Sequence, residues 1–136
     1  GGIGCQLCAR IRQAFGQRVE ILALGTNSTA TEKMIKAGAD RGASGENVMQ
    51  VSIGLAQFIL GPIGIVLPDS LMGEITPTMA QSIMRASGKK ILLPVSQPHF
   101  ALAGVSPVPL SKLIEEAVNL LVAELDESLA NKPEKQ

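Results

Sequence analysis

Short apolar runs alternate with amphipathic stretches along this chain, regularly enough to assign elements. Ile3, Leu7, Ile11 and Phe15 lie four apart, with Arg10 and Arg12 off their stripe. That spacing predicts a helix from Ile3 or Gly4 to about Phe15, ended by Gly16. Val19 to Leu24 is a short apolar run bounded by Gly25 and reads as a buried strand. Thr26-Asn27-Ser28-Thr29 is rich in capping side chains. It predicts a second helix from about Thr29 to Ala37, with Ala30, Met34 and Ala37 inward and Gly38 closing it. Ala39 to Gly45 reads as a loop or weak strand. Ser44-Gly45-Glu46-Asn47 looks like a further helix start, leading to a short helix to about Ser52, although Val48, Val51 and Ile53 also fit a strand. Ala56 to Leu60 is a strand that stops at Gly61-Pro62, and Ile63 to Leu67 fits either strand or loop.

Pro68 to Glu74 reads as a loop with room for a helical turn. Thr76-Pro77 then puts Thr at N-cap and Pro at the first helical position. The helix so opened runs to about Ala86, buries Met79, Ile83 and Met84, and ends near Gly88. Lys89 to Val95 is the clearest strand, and Phe100 to Val105 is a candidate edge strand. The longest helix runs from Pro109 to about Ala130. Its core stripe is Leu110, Leu113, Ile114, Ala117, Val118, Leu121, Leu125 and Leu129. Leu120 and Val122 widen the apolar arc to about half the circumference, beyond the ~100° that a one-sided surface helix needs. Deep packing accounts for this width, and so does a homodimer seam. The polar tail Asn131 to Gln136 is expected to fray.

Strands alternating with helices imply a parallel sheet covered on both faces. The expected class is therefore α/β, a Rossmann-like three-layer sandwich with a mostly parallel sheet. Without a repeat or linker, residues 1–136 read as one domain. The chain opens on a helix behind a glycine-rich start. In a doubly wound fold the first strand is central and leads into such a turn. A first strand is therefore expected upstream of Gly1, outside these 136 residues. Without it, the backbone groups of its neighbours lose partners, at about 1–3 kcal/mol each.

Composition narrows the function. Twelve basic residues balance twelve acidic ones, and the chain has three Phe, no Tyr and no Trp. This set builds neither a phosphate-neutralising surface nor a base-stacking platform, which argues against nucleic acid as partner. Asn47 to Pro68 holds no charged residue, and about twenty apolar residues can span a bilayer. Gln50, Ser52, Gln57 and Gly61-Pro62-Ile63-Gly64 interrupt that stretch, and no Lys or Arg lies close to its ends. Buried parallel strands explain it better than a membrane span. Cys5 and Cys8 form a C-x-x-C pair. Redox use needs a lowered thiol pKa, and a zinc site needs about four ligands, with His99 the only further soft one. Small apolar helix residues are the simpler reading. Two cysteines and no signal-like start are the pattern of a cytoplasmic protein.

Candidate chemistry gathers at the carboxyl ends of the strands, where such sheets bind ligands. Gly1-Gly2-Ile3-Gly4 looks like the end of a phosphate loop. Glycines let the backbone approach a pyrophosphate, and a helix start supplies free N–H groups. A tight strand-to-helix turn has the same sequence. Gly25, Thr26 and Asn27 follow the next strand. A site for NAD usually has an acid there, and one for NADP an arginine. Neither is present; Thr26, Asn27 and Ser28 suit a ribose or phosphate, or simply cap a helix. Glu46 with Asn47, and Gly61 with Pro62, mark two further strand ends. Asp69 and Glu74 are a candidate acid–base pair or solvated loop carboxylates. His99, beside Pro98, is the single imidazole. Spacing supports no Ser-His-Asp or Cys-His set.

GGIG opening a helix, ILALGTN, ASGEN, GPIGIVLPDSLMGEITP and KKILLPV together resemble the small bacterial proteins of the domain of unknown function 3842 family. The resemblance covers nearly the whole chain up to the last helix, and GPIGIVLPDSLMGEITP is its most specific part. It implies a Rossmann-like fold that begins with a strand leading into a glycine-rich turn, of which Gly1 to Gly4 are the end. It has no counterpart of the Cys5–Cys8 pair and implies no activity or catalytic residue.

The expectation is therefore a nucleotide- or dinucleotide-binding protein, with NAD, NADP or another nucleotide as ligand. Gly1, Gly2, Ile3 and Gly4 would meet phosphate and Gly25, Thr26 and Asn27 the ribose, with Glu46, Asn47, Gly61 and Pro62 lining the cleft. Whether it is an enzyme stays open; hydride transfer or nucleotide-sugar chemistry would draw on Asp69, Glu74 or His99. The alternative is a non-catalytic ligand sensor or partner-binding subunit, dimeric through its C-terminal helix.

Overall fold

Local chemistry sets where the helices begin. Asn27 Oδ1 accepts the Ala30 N–H at 2.9 Å, and Thr76 Oγ1 accepts that of Met79 at 3.1 Å. Each satisfies one of the donors that a first helical turn leaves free. The computed structural model describes residues 2–130. In order it holds α1 (Gly2–Phe15), β1 (Leu22–Gly25), α2 (Ser28–Ala37), β2 (Arg41–Ser44), α3 (Glu46–Ile53), β3 (Phe58–Pro62), α4 (Pro77–Arg85), β4 (Lys89–Leu93) and α5 (Leu110–Ala130). Short 3₁₀ turns lie at Gly16–Arg18 and Ile63–Val66. Gly1, the tail Asn131 to Gln136 and the side chain of Leu129 lie outside the described residues.

The chain is α/β, and its strands are parallel. β1 pairs with β2, Leu22 opposite Arg41, and β3 pairs with β4, Phe58 opposite Lys89. Instead of one sheet there are two strand pairs. Helices cover both faces, as in a Rossmann-like sandwich. On one face Leu7, Ile11 and Phe15 of α1 pack with Ile91 and Leu93 of β4 and with Ile114, Ala117, Val118 and Leu121 of α5. Cys8 of α1 meets Ala23 of β1 and Met34 of α2. On the other face Met49 and Ile53 of α3 pack with Met79, Ala80 and Ile83 of α4, over Leu24 of β1 and Ile59 of β3. Ala23 and Leu24 point to opposite faces, as successive strand residues must. Among the described residues, no helix is long and apolar enough to cross a membrane.

Several boundaries differ from the expected ones. β1 starts at Leu22 rather than Val19, because the Ile21 N–H donates to the Asp40 carboxylate instead of to a strand carbonyl. β3 takes in Gly61 and Pro62 and starts two residues late. Phe100 to Val105 is no strand; only a Gln97–Phe100 bridge forms there. Met84 lies 55% exposed near the C-terminal end of α4, because Met79, Ala80 and Ile83 form the face that packs on Met49 and Ile53 of α3. On α2 the buried positions are Thr31 and Met34, not Ala30.

Asp40 ties α1 to the start of β1. Its Oδ2 accepts the Ile21 N–H at 2.7 Å and a guanidinium N–H of Arg12 at 2.5 Å. Arg12 also donates to the carbonyls of Gly38 at 3.0 Å and Val19 at 3.1 Å. The Ile21 N–H, and then Arg12, hold the Asp40 carboxyl below the usual aspartate range. A depressed folded-state pKa adds stability above the unfolded value, near pH 4, and loses it as pH falls through the folded one. Asp40→Asn should therefore lower the melting temperature at pH 7, and the gap to the parent should close as pH falls below about 4. Melting curves across that range check it; a gap independent of pH contradicts it.

Candidate functional site

Chain direction decides which residues meet. Arg12, near the end of α1, bonds Gly38 at the end of α2, on the amino side of the strands. α1 therefore runs back along the sheet, and Gly2, Ile3 and Gly4 lie on the carboxyl side. The same edge carries Gly25-Thr26-Asn27 after β1, Glu46 and Asn47 after β2, and Gly61-Pro62 at the end of β3. β1 is followed by α2 on the α1 face, and β3 by α4 on the opposite face. In open parallel sheets, the carboxyl edge at which connections depart to opposite faces is the usual ligand position.

Among the described residues, a hydrogen bond of Thr26 with Glu74 links the connections that follow β1 and β3. Thr26 Oγ1 donates to Glu74 Oε2 at 3.0 Å, across 48 positions of sequence. Beside it Thr76 Oγ1 donates to Glu46 Oε1 at 2.9 Å, joining the starts of α3 and α4. Glu74 reaches Thr26 because its loop is tightly wound. Asp69 (φ 65°), Leu71 (φ 54°) and Met72 (φ 58°) are left-handed without being glycine. Such conformations cost roughly 1–2 kcal/mol per residue. The loop is held by the Asp69 N–H on the Ile75 carbonyl at 2.7 Å, and by the Ser70 hydroxyl on the Gly64 carbonyl. Ile75, 2% exposed, anchors its far end in the α3–α4 core. The turn after β1 has no acid of its own, and the carboxylate beside Thr26 comes from the loop before α4. Local spacing carries no sign of this pairing.

The glycines divide by cause. A Cβ on Gly4 would fall 2.5 Å from Met34 Sδ, so this glycine lets α1 and α2 approach each other. Gly25 lies against Thr31, whose hydroxyl donates to the Asn27 carbonyl at 3.1 Å. A Cβ on Gly61 would fall 3.0 Å from Ile65 Cδ1. Gly2 has open space instead, and Gly45 combines open space with φ 97°. At this edge Gly2 and Gly45 leave backbone accessible to a ligand, while Gly4 and Gly25 serve packing. Asn27 spends its Oδ1 on the α2 cap.

Asp69 and Glu74 are not brought together as a pair by any hydrogen bond; the Glu74 carboxylate meets Thr26. His99 lies exposed beside the Gln97–Phe100 bridge. Burial pushes the Cys8 thiol up to about 11, and neighbouring Cys5 adds to this. Cys8 thus sits as a thiol among the core side chains of α1, β1 and α2. A shallow depression lies at the opposite, amino edge, between Gly54–Phe58, Ser87–Lys89 and Glu124. An ion pair of Lys89 with Glu124 spans it.

Residues 1–126 match the family described as Domain of unknown function (DUF3842). No curated protein and no solved structure matches the chain.

The division of the glycines is testable by unfolding in urea. Gly4→Val must displace Met34 and is expected to cost about 1–3 kcal/mol. Gly2→Ala meets nothing and should shift stability by less than about 0.5 kcal/mol. An unchanged midpoint for Gly4→Val would remove the packing role.

Proposed function

The chain belongs to the DUF3842 family, and we propose that it binds a nucleotide or dinucleotide at the carboxyl edge of its strands. The observation that carries this is the start of α1, free of acidic residues, opening beside turns of β1 and β3 that leave to opposite faces. Phosphate is held by the free backbone N–H groups of Gly2, Ile3 and Gly4 in the first turn of α1. No Lys or Arg occurs in residues 1–4, 25–28, 44–47 or 61–68. The positive end of the helix dipole, equivalent to about half a unit charge, supplies the attraction instead. Thr26 and Asn27 face the ribose, and the Glu74 carboxylate accepts from its hydroxyls. Glu46, Asn47, Gly61 and Pro62 line the remainder. NAD, NADP and mononucleotides all present this diphosphate or phosphate with a ribose. With its two thiols, the protein belongs in the reducing cytoplasm.

The test is a thermal-shift screen with NAD, NADP, ATP, GTP and nucleotide sugars. A ligand at a hundred times its Kd adds about 2.7 kcal/mol, several degrees for a chain of this size. Glu74→Gln should weaken the hit by about tenfold, the order expected for loss of a charge-assisted hydrogen bond. A flat screen on folded protein counts against the reading.

One observation favours a second reading, a partner-binding homodimer through α5. Leu120 is 56% exposed, beside Glu116 and Asn119, while Val122 packs into the core. Leu120→Glu should then halve the mass in solution. A mass unchanged by that substitution removes this reading.

A further inference from the structure

α3 is apolar on both of its sides. Met49 and Ile53 are buried and pack on Met79, Ala80 and Ile83 of α4. Val48, Val51 and Leu55 follow one another at helical spacing on the other side. Leu55 lies just past the helix end, where its N–H still bonds the Ser52 carbonyl at 3.1 Å. The three side chains are 49%, 68% and 81% exposed. A surface helix normally turns polar side chains outward, and one that is apolar all round is buried all round. Among the described residues, no other helix exposes more than one large apolar side chain.

Leu55 stands at the rim of the depression on the amino edge, whose volume is about 630 Å³, and leaves it open. Gly54, Ala56, Ser87 and Gly88 in its wall carry little or no side chain. Gly88 cannot be larger, because a Cβ there would fall 2.4 Å from the Ala56 carbonyl oxygen. An exposed apolar side chain and a hollow with room for it thus lie side by side in one patch. A two-fold contact requires this, since both copies offer the same surface and each part must find its complement on it. Charge agrees. No residue from Asn47 to Pro68 is charged, so two copies of α3 meet without like-charge repulsion. Across the depression Lys89 bonds Glu124, with Glu127 beside them, so both signs are present. A lipid surface would call for Lys and Arg beside the apolar stripe, and α3 has neither.

We propose that two copies of this chain meet here, Leu55 of each seated in the depression of the other. Val48 and Val51 of the two α3 helices pack across the two-fold axis between these contacts. Each Leu55 is then an apolar anchor in a pocket, the arrangement that carries most of the energy of an interface. The contact is independent of the nucleotide reading, because it lies at the amino edge. It also differs from a pairing through α5 in depending on Leu55 rather than Leu120.

Sedimentation equilibrium tests it on the parent chain, Leu55→Glu and Ser87→Trp, from about 1 μM to about 1 mM. The parent should pass from one chain to two within that range. Leu55→Glu removes the anchor, and Ser87→Trp, at an exposed position in the wall, fills the hollow. Each change occurs twice in a two-fold pair, so each should raise the dissociation constant by at least about a hundredfold. Leu55 is exposed in the single chain, so Leu55→Glu should stay folded by circular dichroism. Should Ser87→Trp fail to fold, Leu55→Glu decides alone. A parent that keeps the mass of one chain up to about 1 mM overturns the proposal and leaves the face to a different occupant. A pair whose dissociation constant is unchanged in Leu55→Glu overturns it as well, and loss of pairing in Leu120→Glu alone would place the contact on α5.

Discussion

Burial of one face of α1 holds this fold together. Leu7, Ile11 and Phe15 tie β3, β4 and α5 to the helix, and Cys8 ties β1 and α2 to the same helix. Among the described residues no backbone ladder joins the strand pairs, so packing on α1 and the Thr26–Glu74 and Thr76–Glu46 hydrogen bonds link them. Close approach of α1 to α2 depends on the missing side chain at Gly4. The Arg12–Asp40 contact then locks the far end of α1 to the start of β1. The direction of α1 follows, and with it the position of its N-terminus at the carboxyl edge.

The candidate site is a consequence of that geometry. Once α1 runs toward the amino edge, its unsatisfied N–H groups must open at the carboxyl edge. The turns after β1 and β3 leave to opposite faces there. Glu74, carried on a loop wound through left-handed Asp69, Leu71 and Met72, closes on Thr26. The left-handed conformations lie in a loop that positions a carboxylate, the kind of place where strain is retained in folded proteins.

Legibility in the sequence followed the range of the interaction. Helix starts were readable because capping is local: Asn27 and Thr76-Pro77 carry the signal within three residues. The α/β class was readable from alternation alone. Strand limits were not, because a strand ends where its partner ends. Phe100 to Val105 had the apolar pattern of a strand but finds only a bridge to Gln97. Met84 was assigned to the core by apolarity, whereas Met79, Ala80 and Ile83 make the packed face of α4 and leave it outside. Gly25 closes β1, Thr26 and Asn27 follow it and Glu46 follows β2, as the punctuation of the sequence suggested, whereas Gly61 and Pro62 lie inside β3. The reasons for Gly4 and Gly25 were hidden, since a contact with Met34 or Thr31 leaves no mark on neighbouring residues. The Thr26–Glu74 hydrogen bond was equally hidden, across 48 positions and through residues that do not advertise a left-handed turn.

The most direct measurement is a map of backbone amide shifts by NMR during titration with ADP, which presents a diphosphate and a ribose together. Shifts concentrated at Gly2, Ile3, Thr26 and Glu74 are the predicted result. Shifts confined to the amino edge, around Gly54–Phe58 and Lys89, would place the ligand at the opposite end of the strands and contradict the account.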